Sequence, residues 1–148
     1  MEFKRLSKFE NDLKYTKSAQ AWENLLAAIS TFTVGEKSQE VISSSHLKHA
    51  EATTASEAGK HLRKANLALQ QSLVKNDKLF RENYNRDVWI AVGVGGIGVP
   101  LGVVIGTVSG SMGFIGLGMP IGMVLGIVIG NKLDQKAKKE GQVYAINS

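Results

Sequence analysis

The chain contains no cysteine, only two prolines and, between Asp87 and Lys132, no charged side chain. Without cysteine there is no disulfide framework and no thiol chemistry, and the redox compartment is left open. The uncharged segment is 44 residues long. A run of this length without charge is typical of chain that lies in a lipid bilayer.

Side-chain patterns that would support an enzyme are also missing. No nucleophile stands beside a base, and no carboxylate pair stands in a pocket-forming context, so we predict no catalysis and no cofactor. His46 and His49 have HxxH spacing, but no further ligands follow at a convincing distance, so we predict no metal site and a solvated helix surface. The net charge of +5 is spread over both ends of the chain without interleaved aromatics, which argues against nucleic acid as a partner.

One motif suggests a nucleotide site. Residues 93–98 read GVGGIG after the apolar residues 88–92, and so match the GxGxxG fingerprint that follows a strand in dinucleotide-binding folds. The acidic residue expected about 20 positions later is absent, and no amphipathic helix follows. We therefore do not assign a dinucleotide site.

The uncharged segment is rich in glycine, which makes up 13 of its 44 residues. Two series recur in steps of four, and they are Gly98, Gly102, Gly106 and Gly110, then Gly118, Gly122, Gly126 and Gly130. Glycine at every fourth position lets helices approach to backbone distance within a membrane. The eight glycines are our predicted sites of helix packing and oligomerisation, although a hairpin that uses all of them on itself is the alternative.

The two series belong to an internal repeat, because residues 98–110 align with residues 118–130 glycine for glycine and proline for proline. We predict two transmembrane helices, at about 88–109 and 112–131, each near the ~20 residues that cross a bilayer. Pro100 and Pro120 are expected to kink them. Kinks that serve packing are our interpretation; broken helices that line an ion path are the alternative. The abundance of valine and isoleucine also leaves a β-rich assembly open.

Flanking charge predicts the orientation of these helices. Four basic residues precede the first helix and four follow the second, namely Lys75, Lys78, Arg81, Arg86, Lys132, Lys136, Lys138 and Lys139. The turn between the helices has none, so both termini are expected to be cytoplasmic in a multi-pass protein of the inner cell membrane. Tyr84, Arg86, Trp89 and Lys132 are the predicted anchors at the membrane interface.

Residues 1–87 are predicted to form a cytoplasmic helical hairpin, and residues 132–148 a basic cytoplasmic tail. Apolar residues at steps of three and four predict a first helix over 2–32. Thr33 and Glu36 have the spacing of a capping box for a second helix from about 35 to 87. The stretches Ser43–Ser45 and Thr53–Thr54 are poor helix formers, and each is a candidate for a hinge or a frayed part. No secretory signal is visible at the start.

Residues 93–141, with their GxxxGxxxG repeats and the ending GNKLDQKAKKEG, resemble the small glycine-zipper membrane proteins of bacteria. Similar zippers occur in membrane-permeabilising toxins, in channels and in plain membrane anchors. The double zipper joined to a charged helical module predicts an all-α, self-associating protein whose cytoplasmic helices control a pore or membrane-disrupting assembly, as in a toxin, holin or anti-phage effector. A non-conducting anchor that holds a cytoplasmic partner at the membrane is the alternative. The implied partners are the protein itself, anionic lipid headgroups and a cytoplasmic protein bound through residues 1–87.

Overall fold

The computed structural model describes residues 3–111, 113 and 115–146. It is mostly helical, as predicted. The chain divides into two units, of which the first is Met1–Leu79 with Tyr144–Ser148 and the second is Phe80–Val143. The division therefore falls before residue 87. The predicted helix starts at residues 2 and 112 and the last two residues of the predicted tail lie outside the described residues.

Three helices form the first unit: α1 (Leu13–Ile29), α2 (Glu36–Ala50) and α3 (Ala55–Ser72). A 3₁₀ turn (Ser7–Phe9) precedes them and a π turn (Leu73–Asp77) follows. The predicted continuous helix from 35 to 87 is not observed, because residues 51–54 interrupt it. This stretch contains Thr53 and Thr54, one of the two predicted hinge positions. The other, Ser43–Ser45, was wrong, because it lies within α2.

The break before α3 is stabilised by a local cap. Thr54 is the N-cap and its hydroxyl accepts from the Glu57 N–H (3.2 Å), while the Glu57 carboxylate accepts from the Thr53 N–H (3.2 Å). These reciprocal bonds satisfy amide groups that a helix start leaves free. A threonine followed three residues later by glutamate therefore does begin a helix in this chain, but at Thr54 rather than at Thr33.

The predicted capping box at Thr33 and Glu36 was wrong. The N-cap of α2 is Gly35, which has no side-chain cap. Its N–H instead donates to Asp77 Oδ1 (2.9 Å), and Ser38 Oγ donates to Asp77 Oδ2 (2.5 Å). A distant carboxylate thus caps α2, and a Cβ at Gly35 would lie 2.6 Å from Asp77 Oδ1.

The core of the first unit is built in the manner of a soluble domain. Large apolar side chains at helical spacing are fully buried, and they include Tyr15, Trp22, Leu25, Leu62, Leu69, Leu73 and Tyr144. Charged residues occupy the outer faces of the same helices. Burial of apolar surface away from water stabilises this unit.

The second unit contains β1 (Phe80–Arg81), α4 (Tyr84–Val92), a π turn (Gly93–Gly98), α5 (Val99–Val108) and α6 (Ile115–Lys139). Helix α4, the π turn and α5 form one continuous helix, Tyr84–Val108. A short strand β2 (Val143–Tyr144) pairs with β1. The apolar segment is helical wherever it is described outside the turn, so the β-rich alternative is wrong.

Candidate membrane hairpin

Two helices of the second unit are long and apolar enough to cross a bilayer. They span Tyr84–Val108 (25 residues, mean hydropathy 2.2) and Gly116–Lys139 (24 residues, mean hydropathy 1.4). Only 17% and 22% of their most apolar stretches are buried within the structure. The core helix of a soluble protein would be mostly buried, whereas these two helices expose their apolar side chains.

Every buried residue between 84 and 130, among those the structure describes, is a glycine. The eight are Gly93, Gly98, Gly102, Gly106, Gly118, Gly122, Gly126 and Gly130. The large apolar side chains of the same helices lie outside, with Val104 57% and Val124 59% exposed. Helix packing in lipid favours this arrangement, in which glycines lie at the contact and branched aliphatic side chains face outward.

The two helices run antiparallel and meet along this glycine face. A Cβ on Gly98 would lie 2.8 Å from the Gly118 carbonyl oxygen, and one on Gly118 would lie 2.5 Å from the Gly102 nitrogen. A Cβ on Gly122 would overlap the Gly93 carbonyl oxygen. No side chain larger than hydrogen fits at these positions unless the helices separate.

The contact continues toward the open end of the hairpin, where only one helix supplies glycine. A Cβ on Gly126 would lie 2.9 Å from Ile90 Cα, and one on Gly130 would lie 2.9 Å from the Arg86 nitrogen. Glycine on α6 therefore packs directly against the backbone of α4.

The π turn keeps this face continuous. Gly93 and Gly98 are five residues apart, whereas their partners Gly122 and Gly118 are four apart, so the first helix carries one extra residue over this stretch. A π turn absorbs one extra residue within an α-helix, and the Val99 N–H donates to the Val94 carbonyl in the i→i−5 pattern. Both glycines consequently face α6.

Gly110 does not contribute to the contact between the two helices. It has φ +66° with no atom within 4 Å of a Cβ built on it, and it follows the end of α5 at Val108. Glycine is favoured there because L-residues rarely adopt positive φ. Gly93 takes its place as the fourth packing glycine of the first helix. Sequence reasoning missed Gly93 because the five-residue step breaks the period of four.

The two prolines lie at different points of their helices. Pro100 is in the first turn of α5, directly after the π turn, and Pro120 lies inside α6. Because α5 continues the helix that begins at Tyr84, both prolines are interior to a long helix, and Pro100 differs in following the π turn, where the backbone hydrogen-bond pattern changes. The irregular backbone in this unit is therefore concentrated on the first helix.

The end of the hairpin opposite the turn carries a network of charged and polar groups. The Asp134 carboxylate of α6 accepts from the N–H groups of Asn85 and Arg86, each at 3.0 Å. These amides are in the first turn of α4, whose free N–H groups and positive dipole end favour a carboxylate. Lys138 also pairs with Glu82 at 2.8 Å.

Sequence reasoning did not find Asp134. A single aspartate after an apolar helix carries no local signal that it caps another helix. The partner amides lie almost 50 residues earlier, at a separation of 49 and 48 positions. Only the folded hairpin brings the carboxylate to them.

The predicted interface anchors lie at this same end. Tyr84, Arg86 and Trp89 occupy the first two turns of α4, and Lys132 is exposed on α6. Gly130 packs against Arg86 Cα, which places the last packing glycine beside the anchors.

The outward surface of the hairpin also exposes backbone at three glycines. A Cβ on Gly95 or Gly116 would meet nothing within 4 Å, and one on Gly96 would meet only Val92 Cγ1 at 3.8 Å. These glycines do not contribute to the contact between the two helices. They leave small-residue positions on the side that faces away from it.

The GxGxxG motif does not have the structure of a dinucleotide site. Residues 88–92 belong to α4, and Gly93–Gly98 form the π turn inside a long helix. The fingerprint requires a strand before the glycines and a helix start after them. Only the first and last glycines of the motif, Gly93 and Gly98, belong to the glycine face.

The histidines of the first unit differ from the predicted solvated surface. His49 is buried, and its Nε2 is hydrogen-bonded to the Tyr15 hydroxyl (3.0 Å), which also accepts from the Leu6 N–H (2.8 Å). Burial lowers the pKa of His49, and the neighbouring His46 and His61 lower it further. Among the described residues, no group of three or more metal-ligating side chains is present.

No protein-family model matches this chain, and neither a curated protein nor a solved structure matches it. The resemblance to bacterial glycine-zipper proteins therefore stays a prediction from the repeat.

Proposed function

We propose that this chain is a two-span membrane protein whose glycine hairpin folds on itself and anchors the three-helix unit to a bilayer. One observation carries the proposal, namely that every buried residue described between 84 and 130 is a glycine while the large aliphatic side chains face outward. In water, an exposed apolar band of this size would drive aggregation. In lipid, the same side chains are solvated by acyl chains.

The flanking charges support an orientation with both ends of the hairpin on the cytoplasmic side. Lys132 and Lys139 are exposed near the end of α6, and no ion pair is found for either within the described part of the chain. Such lysines suit the anionic headgroups of the cytoplasmic leaflet. The three-helix unit is then the part that meets a cytoplasmic partner.

The absence of native cysteine makes a direct test of this topology simple, because each introduced cysteine is the only thiol. Ser111→Cys lies at the turn, whereas Thr31→Cys and Ala145→Cys lie at exposed positions of the first unit. A membrane-impermeant maleimide added to intact cells should label Ser111→Cys alone. Equal labelling of all three variants, or release of the protein from membranes by alkaline carbonate, would overturn the proposal.

A membrane-permeabilising assembly of the toxin, holin or anti-phage-effector kind is the second candidate. The outward glycines Gly95, Gly96 and Gly116 favour it, because they offer another copy of the chain a surface for close helix approach. The uncharged spans would give such a pore little ion selectivity, since no ring of charged side chains is present in the sequence between 88 and 131.

Dye release from liposomes separates the two candidates. A permeabilising assembly should release dye, and Gly96→Leu or Gly116→Leu should abolish release while the hairpin stays folded. Val104→Leu, at an outward position that is already apolar, is the matched control. A native protein that inserts without any release is an anchor.

A further inference from the structure

A groove in the first unit lies between helix α2 and the N-terminal segment Phe3–Lys8, which ends in the 3₁₀ turn. Its volume is about 590 Å³, within the range of small-molecule sites. Its apolar lining comes from Phe3, Leu6 and Leu47, and Leu47 is 62% exposed. An exposed leucine beside a concave apolar surface leaves room for an apolar ligand.

The segment that forms one wall is held in place by specific contacts. The Leu6 N–H donates to the Tyr15 hydroxyl of α1 (2.8 Å), and the Phe3 ring packs against the rings of His46 and His49 with centroid distances of 5.5 and 4.9 Å. Both histidines also line the groove. The groove is therefore built from α2 and from a segment that is fixed against α1 and α2.

The charged side chains that line the groove are all basic. Lys4, Arg5 and Lys8 line it, and among the described residues no carboxylate does. Arg5 is paired with Glu23, whereas Lys8 Nζ donates to the neutral Ala52 carbonyl (3.1 Å). Lys4 has no ion-pair partner within the described part of the chain. Over these same residues, two cations are thus left without a neutralising anion beside an apolar surface.

We propose that this groove binds a medium-chain fatty acid, with its carboxylate at Lys4 and Lys8 and its alkyl chain against Phe3, Leu6 and Leu47. Charge complementarity selects the carboxylate, and the apolar wall selects the chain. The site belongs to the first unit, so it is independent of whether the hairpin permeabilises or only anchors.

The three histidines provide the readout, in the full chain held in phosphatidylcholine nanodiscs. Octanoate should shift the imidazole NMR signals of His46 and His49 in a saturable manner and leave those of His61, which lies on α3, unchanged. Acetate lacks the chain and octylammonium lacks the negative charge, so neither should give a saturable shift. Equal effects of octylammonium, or shifts of all three histidines without saturation, would overturn the proposal.

Matched variants test the two halves of the site. Leu47→Gln should weaken octanoate binding by at least about tenfold, whereas Leu67→Gln, at an equally exposed leucine (62%), should not. Lys4→Glu should abolish binding, and Lys17→Glu, at an exposed lysine of α1, should leave it unchanged. Loss of binding in either control, or its persistence in Lys4→Glu, counts against the assigned groove.

Discussion

The two units of this protein place opposite kinds of residue inside. In the three-helix unit, Trp22 and Tyr15 are fully buried. In the hairpin, the buried residues described between 84 and 130 are glycines, and valines such as Val104 face outward. This difference is the one that the proposed membrane location predicts. Water drives large apolar side chains inward, whereas lipid offers no such drive and leaves close backbone packing as the main source of contact energy.

Two of the expected effects are comparably large, and the first of them tests the packing of the hairpin. In Gly122→Leu, the new side chain would overlap the Gly93 carbonyl and lie near Gly98 Cα (2.8 Å from Cβ). The helices must separate, at a cost of about 3 kcal/mol or more. Amide exchange in nanodiscs should accelerate along the contact face. Gly116→Leu, which meets nothing within 4 Å, should leave exchange unchanged.

The second test breaks the core of the three-helix unit. Trp22→Ala leaves a large cavity, and we expect a loss of about 3–5 kcal/mol in the free energy of unfolding of this unit. Urea unfolding followed by amide exchange measures the loss. Leu13→Ala, at a leucine 78% exposed, should change stability by less than about 0.5 kcal/mol. Similar losses in both variants would contradict the observed core.

A smaller effect is expected where the two helices of the hairpin meet through charge. Asp134→Ala removes the acceptor for the Asn85 and Arg86 amides, and should destabilise the start of α4 by about 1 kcal/mol. Amide hydrogen exchange measures this effect, and we expect faster exchange at residues 85 and 86. Glu140→Ala, which removes only an exposed pair with Lys136 at 3.9 Å, serves as the control. Equal protection in wild type and Asp134→Ala would show that the cap contributes nothing.

The smallest expected effect is the pH dependence of the stability of the first unit. Burial lowers the pKa of both His46 and His49 from 6.5, so the unfolded chain binds protons more readily than the folded one. Stability should therefore be full above pH 6.5 and fall as the pH drops below it. Urea unfolding at several pH values measures this. His49→Gln should flatten the dependence; an unchanged slope would contradict the assignment.

Sequence reasoning located the two apolar helices and seven of the eight buried glycines, because uncharged length and the period of four are local patterns. It extended the packing series to Gly110 and missed Gly93, since a π turn changes the register by one residue and leaves no local sign. Similarly, the break before α3 follows from neighbouring residues, Thr54 and Glu57. The cap on α2 could not be predicted from neighbouring residues, because Asp77, which supplies it, is distant in sequence.

The sequence by itself determined which part of the chain suits lipid and where its backbone can be approached, since charge and side-chain size are properties of single residues. Only the tertiary structure decided which groups are paired. It set Gly122 against Gly93, Asp134 on the start of α4, and His49 beneath Tyr15. Such pairings join residues far apart in the chain, and they are selected by the packing of whole helices rather than by any local preference.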